Sequence, residues 1–116
     1  MLTIYHNPRC SKSRASLQLL EEKGLNPTII KYLETPPNRE ELTEVLDKLG
    51  LPAEQIVRKG EALFKELGLK EKTLSNDQWI DLLVEHPRLI ERPIVVHNDR
   101  AAIGRPIERV VEILEG

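Results

Sequence analysis

The first 32 residues pass from strand-like to helical and back to strand-like patterning, and that order leaves little topological choice. Leu2-Thr3-Ile4-Tyr5 reads as strand one. Ser11 to Lys23 reads as a helix with Ala15, Leu17, Leu19 and Leu20 apolar and Gly24 as its stop. Pro27 to Tyr32, with Thr28, Ile29, Ile30 and Tyr32, reads as strand two. A strand–helix–strand unit of about 30 residues implies parallel strands joined by a right-handed crossover.

The next fifty residues are helical throughout. Asn38-Arg39-Glu40-Glu41 has the spacing of a capping box, and its helix runs to Leu49 and Gly50. Pro52 to Val57 suits a short helix with proline in its first turn. Glu61 to Leu67 predicts another, stopped by Gly68. Ser75-Asn76-Asp77-Gln78 repeats the capping-box spacing, and the helix it opens ends near His86-Pro87. Arg92 to Val96 then reads as strand three, with Pro93 at its entry, where no ladder donor is needed. Asn98-Asp99 marks a turn, Arg100 to Ile103 a fourth strand, and Pro106 the opening of a last helix. One domain over 1–116 is expected, with a helical insert at about 38–87.

The chemistry points to Cys10, the only cysteine among 116 residues. It lies between strand one and the first helix, so its sulfur faces unsatisfied N–H groups and the positive end of the helix dipole. Arg9, Lys12, Arg14 and His6 add nearby cations. Such surroundings lower a thiol pKa and make the thiolate the reactive form. The opposing reading, a small buried hydrophobe, fits poorly with polar and cationic neighbours on both sides.

Composition removes several function classes. The formal net charge is −2, which disfavours a phosphate-binding nucleic-acid protein. One Trp, two Tyr and one Phe are too few for base-stacking platforms. No apolar run approaches a membrane span, and the N-terminus starts directly in strand-like sequence, so no signal peptide is expected. A lone cysteine forms no internal disulfide, and with no export signal expected a cytoplasmic, reducing location is expected; a monomer is expected as well. No His, Cys or acidic residues have metal-ligand spacing, so no metal and no bound cofactor are expected.

A cysteine after strand one and a proline before strand three resemble the thioredoxin fold. The implied class is α/β, a thioredoxin-like three-layer fold with a mixed four-stranded sheet and an all-helical insert between strands two and three. In that fold the proline is cis, which the resemblance extends to Pro93. Ser13 stands where a thioredoxin has its second cysteine, so an outside thiol must release any bond formed by Cys10.

His6-Asn7-Pro8-Arg9-Cys10-Ser11, Tyr32-Leu33-Glu34-Thr35-Pro36-Pro37, Arg92-Pro93-Ile94-Val95-Val96 and Gly104-Arg105-Pro106 together resemble the glutathione/glutaredoxin-coupled arsenate reductase family. The resemblance implies a cysteine that attacks arsenate, here Cys10, and three oxyanion-binding arginines, here Arg58, Arg92 and Arg105. His6 matches the histidine that helps hold the thiolate. Glutathione is the implied co-substrate and glutaredoxin the implied partner. Two alternatives share the fold: a monothiol glutathione-dependent oxidoreductase of another substrate, and a regulator resembling relatives that bind RNA polymerase. A phosphatase-like loop is absent, because Ser16 stands where that loop needs its arginine. His86 reads as a helix C-cap, His97 as part of the turn between strands, and Trp79 as core.

Overall fold

The strand-like runs pair into one mixed sheet of order β2-β1-β3-β4, and this sheet carries the reactive loop. The computed structural model describes residues 2–115. Its strands are β1 (Leu2–His6), β2 (Thr28–Lys31), β3 (Ile94–His97) and β4 (Arg100–Ile103). Its helices are α1 (Ser11–Glu22), α2 (Arg39–Leu49), α3 (Ala62–Glu66), α4 (Asn76–Glu85) and α5 (Glu108–Glu115). β1 and β2 are parallel with Ile4 opposite Ile29, while β3 is antiparallel to both β1 and β4. This is the thioredoxin-like α/β arrangement.

The chain divides into two compact units: the segments before Pro36 and after Glu91 form the first, and Pro36–Glu91 the second. The first unit buries one row of the sheet. Ile4, Val95 and Ala102 are register partners in turn across β1, β3 and β4, and all lie in the core. Leu20 of α1 and Val110 and Ile113 of α5 complete the cluster. Period-2 strands and period-3.6 helices thus supply one shared apolar layer.

The second unit contains α2, α3 and α4, and both capping boxes form. The Asn38 side chain accepts the Glu41 N–H at 2.8 Å and the Glu41 side chain accepts the Asn38 N–H at 3.0 Å. Ser75 and Gln78 exchange the same pair of bonds at 3.2 and 2.8 Å. Gly50 and Gly68 sit at φ of 69° and 65°, the left-handed backbone that favours glycine at a helix end. Trp79 is buried, as its apolar helix face requires.

Three expectations change. The Pro52–Val57 segment is a single 3-10 turn over Ala53–Ile56, too short to repeat an α-helical bond pattern. The last helix begins at Glu108, and Pro106 lies in the loop before it. His97 ends β3 rather than lying in the turn, with its Nδ1 3.1 Å from the Ile113 carbonyl. The Arg92–Pro93 bond is cis, as the resemblance implies, and Arg105–Pro106 is cis as well.

Candidate functional site

Cys10 is the N-cap of α1, with extended backbone at φ −95° and ψ 123°. A tight loop delivers it there. The Cys10 N–H donates to the Asn7 carbonyl at 3.0 Å, and the Arg9 N–H donates to Asn7 Oδ1 at 3.0 Å. The Arg14 guanidinium donates to the Pro8 carbonyl at 2.9 Å and ties the loop to the helix. The sulfur closes no capping hydrogen bond, yet the first-turn N–H groups still favour negative charge on it.

Two arginines far along the chain complete the electrostatics. Arg105 Nη2 donates to Cys10 Sγ at 3.2 Å, while its Nε donates to the Arg92 carbonyl at 2.8 Å. One guanidinium thus spans from the cis-proline segment to the sulfur. Burial pushes the Cys10 thiol up. The backbone N–H groups of Ser13 and Lys12, the Arg92 charge and the Arg105 hydrogen bond outweigh it and hold the thiol below its ordinary value. The side-chain charges acting on the sulfur are therefore those of Arg92 and Arg105, not those of the sequence neighbours Arg9, Lys12 and Arg14.

His6 corrects one expectation. It is buried at the end of β1, and its Nδ1 lies 2.7 Å from Ser13 Oγ. Burial, with Lys31 and Arg14 nearby, holds its pKa below the ordinary 6.5. At neutral pH it is an uncharged imidazole and adds no cation beside Cys10. Its partner Ser13, fully buried, also accepts the Asn7 N–H at 2.9 Å. With Oγ accepting from Asn7, the hydroxyl proton is free to point to His6 Nδ1. The pair anchors the loop that carries the sulfur. Sequence reasoning treated Ser13 only as a missing cysteine. Its position in the first turn of a helix, where a hydroxyl can reach back to the incoming loop, was the available signal.

This arrangement has a pH consequence. Unfolded His6 takes up a proton below about pH 6.5, whereas folded His6 resists it. Its contribution to stability is full above that pH and is lost as pH falls toward the lowered folded value. Denaturant titration at pH 7.5 and 5.5 is expected to show a smaller acid loss for His6→Asn than for the parent. An equal loss in both proteins refutes the assignment.

Arg58 lies in the second unit. It forms a 3.3 Å ion pair with Glu61, and its N–H donates to the Leu89 carbonyl at 2.7 Å. Among the described residues no three His, Cys, Asp or Glu side chains converge to hold a metal ion. No helix of the described residues is long and apolar enough to cross a membrane.

A thiol whose pKa is lowered by one guanidinium hydrogen bond and the charge of a second can act as a nucleophile toward an electrophile that carries negative oxygens. Known proteins resemble this chain over nearly its whole length. Residues 5–113 match the model of the ArsC family. A protein of Neisseria meningitidis serogroup B named arsenate reductase is 49% identical over 114 residues, covering 97% of each chain. The Escherichia coli K12 protein YfgD, whose name carries no activity, is 50% identical over 112 residues, covering 96% of this chain and 94% of its own. The solved arsenate reductase from Vibrio cholerae is 52% identical, superposes with a TM-score of 0.92, and covers 97% of this chain and 96% of its own. By the family-model match over residues 5–113 and by these relatives along nearly its whole length, the chain belongs to the ArsC family.

Proposed function

We propose that the protein reduces arsenate to arsenite, with glutathione and glutaredoxin as the thiol partners. The observation that carries this reading is the Arg105–Cys10 contact at 3.2 Å beside the Arg92 charge. Guanidiniums offer planar, permanently charged donors suited to a tetrahedral oxyanion. The same charges favour the thiolate before substrate arrives.

The Cys10 thiolate attacks arsenic, and one arsenate oxygen leaves as water after taking up protons. A Cys10–sulfur–arsenic(V) adduct results. The glutathione thiolate then attacks the Cys10 sulfur. The sulfur–arsenic bonding pair stays on arsenic, which departs as arsenite, reduced by two electrons. Cys10 is left in a mixed disulfide with glutathione, and the glutaredoxin thiolate removes the glutathionyl group and restores Cys10. Two thiols are oxidised for each arsenic reduced. His6, through Ser13, acts as a positioning residue for the loop. The family resemblance adds Arg58 as a third oxyanion ligand.

The test couples the protein to glutathione, glutaredoxin and glutathione reductase and follows NADPH. Consumption is expected to depend on arsenate and on all the thiol components. Arg92→Ala and Arg105→Ala are each expected to lower kcat/KM for arsenate by about 10- to 100-fold, the worth of one charged hydrogen bond. Alkylation of Cys10 by neutral iodoacetamide reports thiolate reactivity alone and is expected to fall less. If both rates fall in step, the guanidiniums serve only the sulfur and oxyanion binding is refuted. Arg58→Ala tests the third ligand in the same assay. Thiol turnover without arsenate dependence would instead identify a monothiol oxidoreductase.

A further inference from the structure

A groove of ≈ 480 Å³ with a lining of mixed charge includes Arg105, which donates to the reactive sulfur. Its volume falls within the range of about 300–1,000 Å³ typical of small-molecule sites. Its polar lining is Lys12, Arg105 and Glu108, and its apolar lining includes Ala15, Pro106 and Ile107. Arg105 lines this groove and also donates from Nη2 to Cys10 Sγ at 3.2 Å. Among the described residues, Lys12 and Glu108 make no ion pair or side-chain hydrogen bond, so both charges remain available to a ligand.

We propose that this groove seats the glutathionyl unit that reacts with Cys10. The proposal rests on the glutathione reading above. The incoming thiol must come from outside, because Cys10 is the sole cysteine and Ser13, in the place of a second one, is fully buried. A peptide thiol of this kind carries two carboxylates and one ammonium. Lys12 and Glu108 complement one of those carboxylates and the ammonium, while the Arg105 guanidinium stays with the sulfur. The apolar residues accommodate the methylenes between the charges. Lys12 and Glu108 act here as binding residues for the co-substrate, and neither touches the sulfur through its side chain.

The test needs no arsenate. Oxidised glutathione is reacted with the intact protein: the Cys10 thiolate attacks one disulfide sulfur, the mixed disulfide forms and one glutathione thiolate leaves. Mass spectrometry reads the rate, with hydroxyethyl disulfide as a neutral control. Lys12→Ala and Glu108→Gln are each expected to slow the reaction with oxidised glutathione by about fivefold, the scale of one exposed charge pair. Both are expected to leave the control rate within about twofold. Glu108→Gln is the decisive variant. Removing a negative charge near a thiolate site should speed attack on any anionic disulfide if only the general field matters. A faster reaction, an equal change with both disulfides, or no change in either variant overturns the seat. If the expected pattern appears in a protein that reduces no arsenate, the arsenate reading alone fails.

Discussion

The Cys10→Ser protein is expected to lose arsenate-dependent NADPH consumption by at least about 10⁴-fold, the scale of removing a nucleophile from an intact site. The first-turn N–H groups, the Arg92 charge and the Arg105 hydrogen bond lower the pKa of a thiol. The same fields act on a serine hydroxyl, but its proton is far harder to remove, so they yield no oxyanion at neutral pH. Serine also cannot carry the bond changes, because the electron pair left on arsenic comes from a sulfur that can then form a disulfide. Turnover within about tenfold of the parent would refute the mechanism.

The same variant separates catalysis from folding. Cys10 is a helix N-cap whose side chain closes no capping bond, whereas serine is among the preferred caps. Cys10→Ser is therefore expected to fold with unchanged or slightly raised stability, by up to about 1 kcal/mol. The difference has a pH sign. The lowered folded pKa means the thiolate adds stability that is full above the unfolded thiol pKa of about 8.5. That contribution is lost as pH falls through the folded value. Serine has no such dependence, so the stability difference shifts toward the variant as pH falls.

Local patterning made much of this fold legible. The two capping boxes, at Asn38 and Ser75, are spelled out within four residues each, and both form with both bonds. Gly50 and Gly68 end helices in a backbone conformation that other residues avoid, and such stops read directly from sequence. The position of Cys10 between a strand and a helix was equally local. Tertiary facts were not legible. Arg105 reaches the sulfur across 95 residues of chain, so only a family resemblance could pair them. His6 resembled a cation by residue type, and its neutrality follows from burial against Ser13 and from Lys31 and Arg14. The segment at 53–56 was expected to be a short helix, yet it forms only a 3-10 turn. Nucleation costs more than one turn of bonds returns, and length is what overcomes it.

Gly104→Ala is expected to be the most destabilising single methyl in the chain's first unit. Gly104 precedes Arg105 and follows β4, and its N–H donates to the Pro93 carbonyl at 2.9 Å. That bond holds the two backbones together. A Cβ on Gly104 would lie 2.7 Å from Pro93 Cγ and 3.3 Å from Cδ, and would also clash with Ser16 Oγ. None of these atoms can yield cheaply. Pro93 is a ring within the backbone at the entry to β3, and Ser16 is fully buried on α1. Overpacking of this kind costs about 3 kcal/mol, a drop in Tm of roughly 10 °C for a chain of this size. Ser16→Ala probes the same contact from the other side. Its hydroxyl is buried with no hydrogen-bond partner among the described residues, so its removal alone should leave stability nearly unchanged. Combined with Gly104→Ala it should restore only part of the loss, because the clash with Pro93 persists. The pressure on Pro93 and Gly104 falls on the residues next to Arg92 and Arg105, so kcat/KM should also drop at a temperature where the variant is still folded. A Tm within about 2 °C of the parent for Gly104→Ala would show that the cis-proline segment and β4 are not in the close contact that positions the Arg105 guanidinium on the sulfur.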